Sequence, residues 1–163
     1  MINLDKSPYL KSEQRLGDVI AAIQAMGIYK FYLGTFKSWA KRISGDEKLE
    51  SHWKKVFQEH PEFFRLDAEK QQAGLVLRRQ RTKRYNTDTE ELITKLEFMA
   101  LDRKAKNKIS REPLTPDQIG ALIDVAIKMH ARASEQARDR RWWIPPGLAF
   151  IGALAGAFIS KLL

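Results

Sequence analysis

The chain of 163 residues contains no cysteine. That excludes disulfide staples, thiolate metal sites and a cysteine nucleophile, and it fits a reducing compartment. Histidine is scarce too. His52, His60 and His130 fall at spacings that match no HExxH or similar ligand pattern, so each reads as structural or solvent-facing and no metal is expected. The glycines are dispersed and form no phosphate-cradling loop, and there is no G-x-S-x-G turn. With these absences no catalytic residue and no cofactor is expected, and the chain reads as a non-enzyme. The N-terminal MINLDKSPYLKSEQ lacks an apolar core, so no cleavable signal peptide is visible.

One long apolar run is present, WWIPPGLAFIGALAGAFISKLL over 142–163, with no charged side chain from Trp142 through Ser160. A helix from about Pro146 onward would be roughly 27 Å long at 1.5 Å per residue, close to a hydrocarbon layer of roughly 30 Å. Arg138, Arg140 and Arg141 precede it, and Trp142 and Trp143 stand where amphipathic rings prefer the headgroup zone. These flanks predict a single C-terminal membrane anchor with the preceding chain on the cytoplasmic side, a bacterial inner membrane being the expected location. The bilayer is the first expected partner. Gly152 and Gly156 form a small-xxx-small pair that allows close helix approach, so homodimerisation in the membrane is a second expectation.

The formal charge of +9 is uneven: residues 1–84 hold 17 Lys+Arg against 10 Asp+Glu, whereas residues 85–141 hold 11 against 10. Arg78, Arg79, Arg81, Lys83 and Arg84 put five cations into seven residues with no acid among them. A local basic strip suggests a polyanion, either nucleic acid or anionic lipid headgroups. A second run, Arg103, Lys104, Lys106, Lys108 and Arg111, either reinforces the first or lies in a solvated loop.

Periodicity organises the rest. Residues 1–11 read as a flexible arm. A helix from Ser12 places Leu16, Val19, Ile20, Ile23 and Met26 on one face and stops at Gly27, and Ile28 to Leu33 suggests a brief strand. A second helix covers Thr35 to Ile43, and a third runs from about Asp46 to Glu59, burying Leu49, Trp53, Val56 and Phe57. Glu62 to Leu66 and Gly74 to Arg78 then read as a β-hairpin. This order, with Trp53, Phe57, Pro61, Phe63 and Phe64 followed by Leu75, Val76 and Leu77, resembles a winged-helix domain over roughly 10–84. The resemblance is one of architecture and implies either nucleic-acid binding through the third helix and wing, or a protein-binding role. It nominates Lys48, Lys54 and Lys55 on the third helix and Lys70 in the wing, beside the 78–84 strip.

Beyond this domain, 85–115 reads as a linker with a short helix behind a capping box at Thr94 and Glu97. Thr115-Pro116-Asp117-Gln118 starts a long amphipathic helix over 116–141, with Ile119, Leu122, Ala126, Met129 and Ala133 on one stripe widened by Ile123 and Ile127. It could serve as a stalk, its first half packed on the head. The expected fold is therefore mainly α: a small winged-helix-like α+β head of three helices and a hairpin, a helical stalk, and one transmembrane helix. Two functions follow. A membrane-tethered adaptor that binds an unidentified protein is favoured slightly, because the third helix is of mixed sign and carries no arginine; a membrane-tethered DNA- or RNA-binding protein is the alternative.

Overall fold

The computed structural model describes residues 7–139, which are mainly helical with two small antiparallel sheets of three strands. Helix α1 (Arg15–Ile28) leads to strand β1 (Gly34–Thr35), α2 (Phe36–Ser44), α3 (Glu50–Glu59), β2 (Phe64–Leu66) and β3 (Gln72–Leu75). The first sheet has the order β1-β3-β2, with Phe64 opposite Leu75, Leu66 opposite Ala73, and Gly34 opposite Ala73 on the other side.

The local chemistry explains the boundaries. The Thr35 side chain accepts from the Ser38 amide at the start of α2, and Gly45 closes that helix in the left-handed conformation at φ 75°. Asp46 caps a 3-10 turn, Glu47–Leu49, that leads into α3. Trp39 is fully buried and its Nε1 donates to the Ala73 carbonyl at 2.8 Å, which ties α2 to the central strand. Around it Val19, Ile23, Met26, Phe36, Val56, Phe57, Phe64 and Leu75 form the core.

Several expectations need correction here. The strand lies at Gly34–Thr35 and not within 28–33. Gly27 does not stop α1; it is where the next layer approaches most closely, since a Cβ there would stand 2.9 Å from Cδ1 and Cγ1 of Ile119. The second hairpin strand ends at Leu75, after which the chain turns into a short helix α4 (Val76–Arg79), so Arg78 is helical and faces inward. The stretch 85–115 is no plain linker. It forms β4 (Tyr85–Asn86), β5 (Glu91–Leu92), α5 (Lys95–Ala100), α6 (Arg103–Lys106) and β6 (Ile109–Ser110), with β4 central in the second sheet. Thr94 and Glu97 do form the capping box of α5.

Helix α7 (Pro116–Asp139) packs across α1 along its length. Thr115 and Gln118 exchange the reciprocal cap hydrogen bonds. Ile119, Ala126 and Ala133 are buried, Leu122, Ile123 and Met129 flank them, and Ile127 faces solvent. The later part of the stripe is alanine because the Pro8–Leu10 turn lies there, with Tyr9 buried and its hydroxyl 3.9 Å from Met129 Sδ. From Ser7 onward, then, the expected flexible arm is docked on α7, and the second half of α7 is no free stalk. Among the described residues no helix is long and apolar enough to cross a membrane. The expected anchor over 142–163, with Arg140, Arg141, Trp142, Trp143, Gly152 and Gly156, lies outside the described residues, as do residues 1–6.

Two glycines separate steric cost from steric nuisance. A Cβ at Gly74 would stand 2.3 Å from the backbone oxygen of Tyr32, whereas at Gly27 it meets side chains, Ile119 closely and Leu114 at 4.0 Å. Gly74→Ala should destabilise by about 1–3 kcal/mol in urea unfolding, the usual cost of overpacking, and Gly27→Ala by less. Equal effects would mean that the backbone at Tyr32 yields easily.

Candidate basic cleft

Arg78 is 0 % exposed. Its guanidinium donates to the carbonyls of Met26 (2.8 Å), Tyr29 and Lys30 at the end of α1, and to those of Arg111 and Glu112 before α7. The last carbonyls of a helix have no intrahelical donor, and a cation there also meets the negative end of the helix dipole. Burial and the neighbouring charge of Arg81 push the Arg78 guanidinium down to about 10, so it stays charged at neutral pH. Arg78 is therefore a structural cation, enclosed and unable to reach a ligand.

The turn after α4 projects the rest of the strip outward. Gln80, Arg81, Thr82, Lys83 and Arg84 line an open cleft of about 600 Å³ together with Lys95, Phe98 and Arg111. Five cations and one ring border it, and no carboxylate does. Lys95 and Phe98 are three residues apart on α5, so the helix phase set by the capping box turns both toward the cleft. Arg111 donates to the Arg81 carbonyl and lies over the Tyr32 ring at 4.9 Å. Arg81 is held by Glu112 Oε2 at 2.7 Å, by the Pro113 carbonyl at 2.8 Å and by Gln118 Oε1 at 2.6 Å. Arg84 Nε reaches only Thr82 Oγ1, at 3.4 Å, so its charge is not offset by an acid.

The other nominated residues are elsewhere. Arg79 is exposed beside the hairpin, with Nη1 3.3 Å from the Leu66 carbonyl, and Lys70 sits at the hairpin turn at φ 55°. Lys48 and Lys55 are exposed on the α3 side, and Lys54 lies over the Phe36 ring at 5.4 Å. Next to them Glu47 pairs with Lys37 and Lys41, so that face is of mixed sign. Arg138 is exposed in the last turn of α7. The nine polyanion candidates thus split into a cleft set (Arg81, Lys83, Arg84), a hairpin set, an α3 set and one core residue. Sequence reasoning noted Arg111 in the second basic run but gave no role to Lys95 and Phe98, although the capping box fixes their common face.

No family model matches this chain, and no curated protein or solved structure does either. The reading of the cleft therefore rests on its own geometry.

A second cavity, of about 290 Å³, lies between the Pro8–Leu10 turn, the end of α3 and α7. Tyr9 donates to Glu62 Oε1 at 3.1 Å, His60 Nδ1 stands 2.9 Å from the same oxygen, and Arg132 and Gln136 of α7 complete the polar lining. Lys11 and Arg15 both pair with Glu59. Such a cluster holds the N-terminal segment to the body.

Two predictions follow. Arg78→Met should cost about 3 kcal/mol or more in chemical unfolding, because several enclosed carbonyls lose their donor at about 1–3 kcal/mol each, and Arg78→Lys should not restore it since one ammonium cannot span both segments. Burial alone would push the Glu62 carboxyl up, but hydrogen bonding, from His60 foremost, outweighs it and holds the carboxyl below its usual range. Its contribution to stability is thus complete above the unfolded carboxylate value and lost as pH falls through the lower folded one. Between about pH 6 and pH 3, Glu62→Gln should therefore lose less thermal stability than the wild type; an equal loss would remove Glu62 from the acid response.

Proposed function

We propose that the chain is a membrane-tethered, winged-helix-like nucleic-acid-binding protein whose main contact is the basic cleft and not the third helix. The winged-helix reading is supported by the order helix, strand, helix, helix, strand, strand from Arg15 to Leu75, with the first strand added beside the last. The observation that carries the binding reading is the cleft lining, five cations with no carboxylate among them. Arg81 is paired with Glu112, but Lys83, Arg84, Lys95 and Arg111 have no acid partner among the described residues, and such cations attract phosphates over several ångströms and release counterions when they bind them. The α3 face lacks that surplus, because acids share it and it carries no arginine.

The tether rests on the apolar sequence at 142–163. The Arg81–Gln118 hydrogen bond fixes the cleft at the first turn of α7, and about 30 Å of helix separates that turn from Asp139. On this reading the cleft is held off from the bilayer, which favours nucleic acid over the headgroups of the same membrane.

A protein-binding adaptor is the second reading. Leu92, Leu96 and Met99 are 58 %, 80 % and 66 % exposed on β5 and α5, an apolar surface suited to a protein partner.

Full-length chain in zwitterionic detergent should bind a labelled oligonucleotide with an affinity that falls steeply with salt. Replacing Lys83, Arg84 and Lys95 together by Ala should lower the slope of log affinity against log salt by about one per lost phosphate contact. Absence of binding at low salt would remove the nucleic-acid reading. A pull-down that loses a protein partner on Leu96→Asp, with oligonucleotide binding absent, would establish the adaptor.

A further inference from the structure

Phosphates account for the cations of the cleft but not for the aromatic ring beside them. We infer that the cleft takes single-stranded and not duplex nucleic acid, with a base stacked on Phe98 while the backbone follows Lys83, Arg84 and Lys95; this rests on the nucleic-acid reading above.

Phe98 is free for such a role because α5 buries none of its residues. The ring is half-buried at the cleft edge and belongs to no part of the core. Lys106 Nζ stands over the ring, 5.6 Å from its centroid, and Lys95 lines the same cleft three residues before it on the helix. This combination of a basic track and an accessible ring is how sequence-tolerant single-strand binders work, since every base offers a π-face. In a duplex the bases are stacked on one another, and a ring beside the backbone has nothing to receive.

The shape agrees. The cleft is open along its length, so it can take a strand whose bases are splayed outward. Duplex recognition would instead call on α3, where Glu50 stands at the start of the helix and Lys54 is drawn over Phe36.

The test is an anisotropy titration of the full chain, in zwitterionic detergent, with a labelled strand and with the duplex of the same length at two salt concentrations. The strand should bind more tightly than the duplex. Phe98→Ala should weaken strand binding roughly 5- to 150-fold with the salt slope unchanged, and Phe98→Tyr should restore it, whereas Lys83→Ala should reduce the slope. Equal affinity for strand and duplex, unmoved by Phe98→Ala, overturns the stacking inference and leaves the cleft a phosphate site. An equal loss for both forms, with a lower melting temperature, makes Phe98 structural and also overturns it. Capture by anionic vesicles with no binding to either oligonucleotide overturns this inference and the nucleic-acid reading together.

Discussion

The described structure depends on one buried guanidinium. Arg78 gathers the end of α1 and the segment leading into α7 by donating to carbonyls of both, and it does so without an acid partner. Planar donors in a fixed fork suit this task better than an ammonium. The neighbouring backbone bond from the Leu114 amide to the Gly27 carbonyl, 2.9 Å long, runs between the same two segments. Together they satisfy the orphan acceptors of α1 and bring α7 onto it, which in turn places Ile119 against Gly27. Few side chains connect so much of the chain.

The choice of carbonyls over carboxylates has an electrostatic result. Carbonyl dipoles stabilise the charge of Arg78 locally but cancel none of it. Arg81 and Arg111 then gather in the same region, where Glu112 is the one acid with an ion pair among the described residues of that cluster. Burial foremost, and then the charge of Arg81, lower the Arg78 value, so the crowding of cations in this region is felt in the core as well as at the surface. Core and site are therefore built from one basic strip.

Much of the first unit was legible in the sequence. Periodicity gave α1, and periodicity with local stops gave α2, α3 and the hairpin to within a few residues: Gly45 after α2, Pro61 after α3, and the Asp67 turn, whose side chain accepts from the Gln71 and Gln72 amides. Strand β1 was misplaced since two residues have no period to read. Arg78 was read as surface because a basic strip looks uniform in one dimension, and only the turn after Leu75 reveals that one of its members points inward. The second sheet was missed for a similar reason. Its strands are two residues each, and Tyr85 finds Leu92 and Ser110 only once the chain has folded back. The cleft fell between two segments that are far apart in sequence, so half of its lining was visible and half was not.

The platform α5 stands apart from the core. Its fold is specified by the Thr94 and Glu97 cap and by the strand before it, while none of its side chains is fully buried. Elements with so little buried surface open and close without unfolding the whole molecule. Apart from Glu97 in the cap and half-buried Phe98, substitutions on this helix meet little packing constraint, so its outer surface can vary over evolutionary time while the scaffold beneath stays the same.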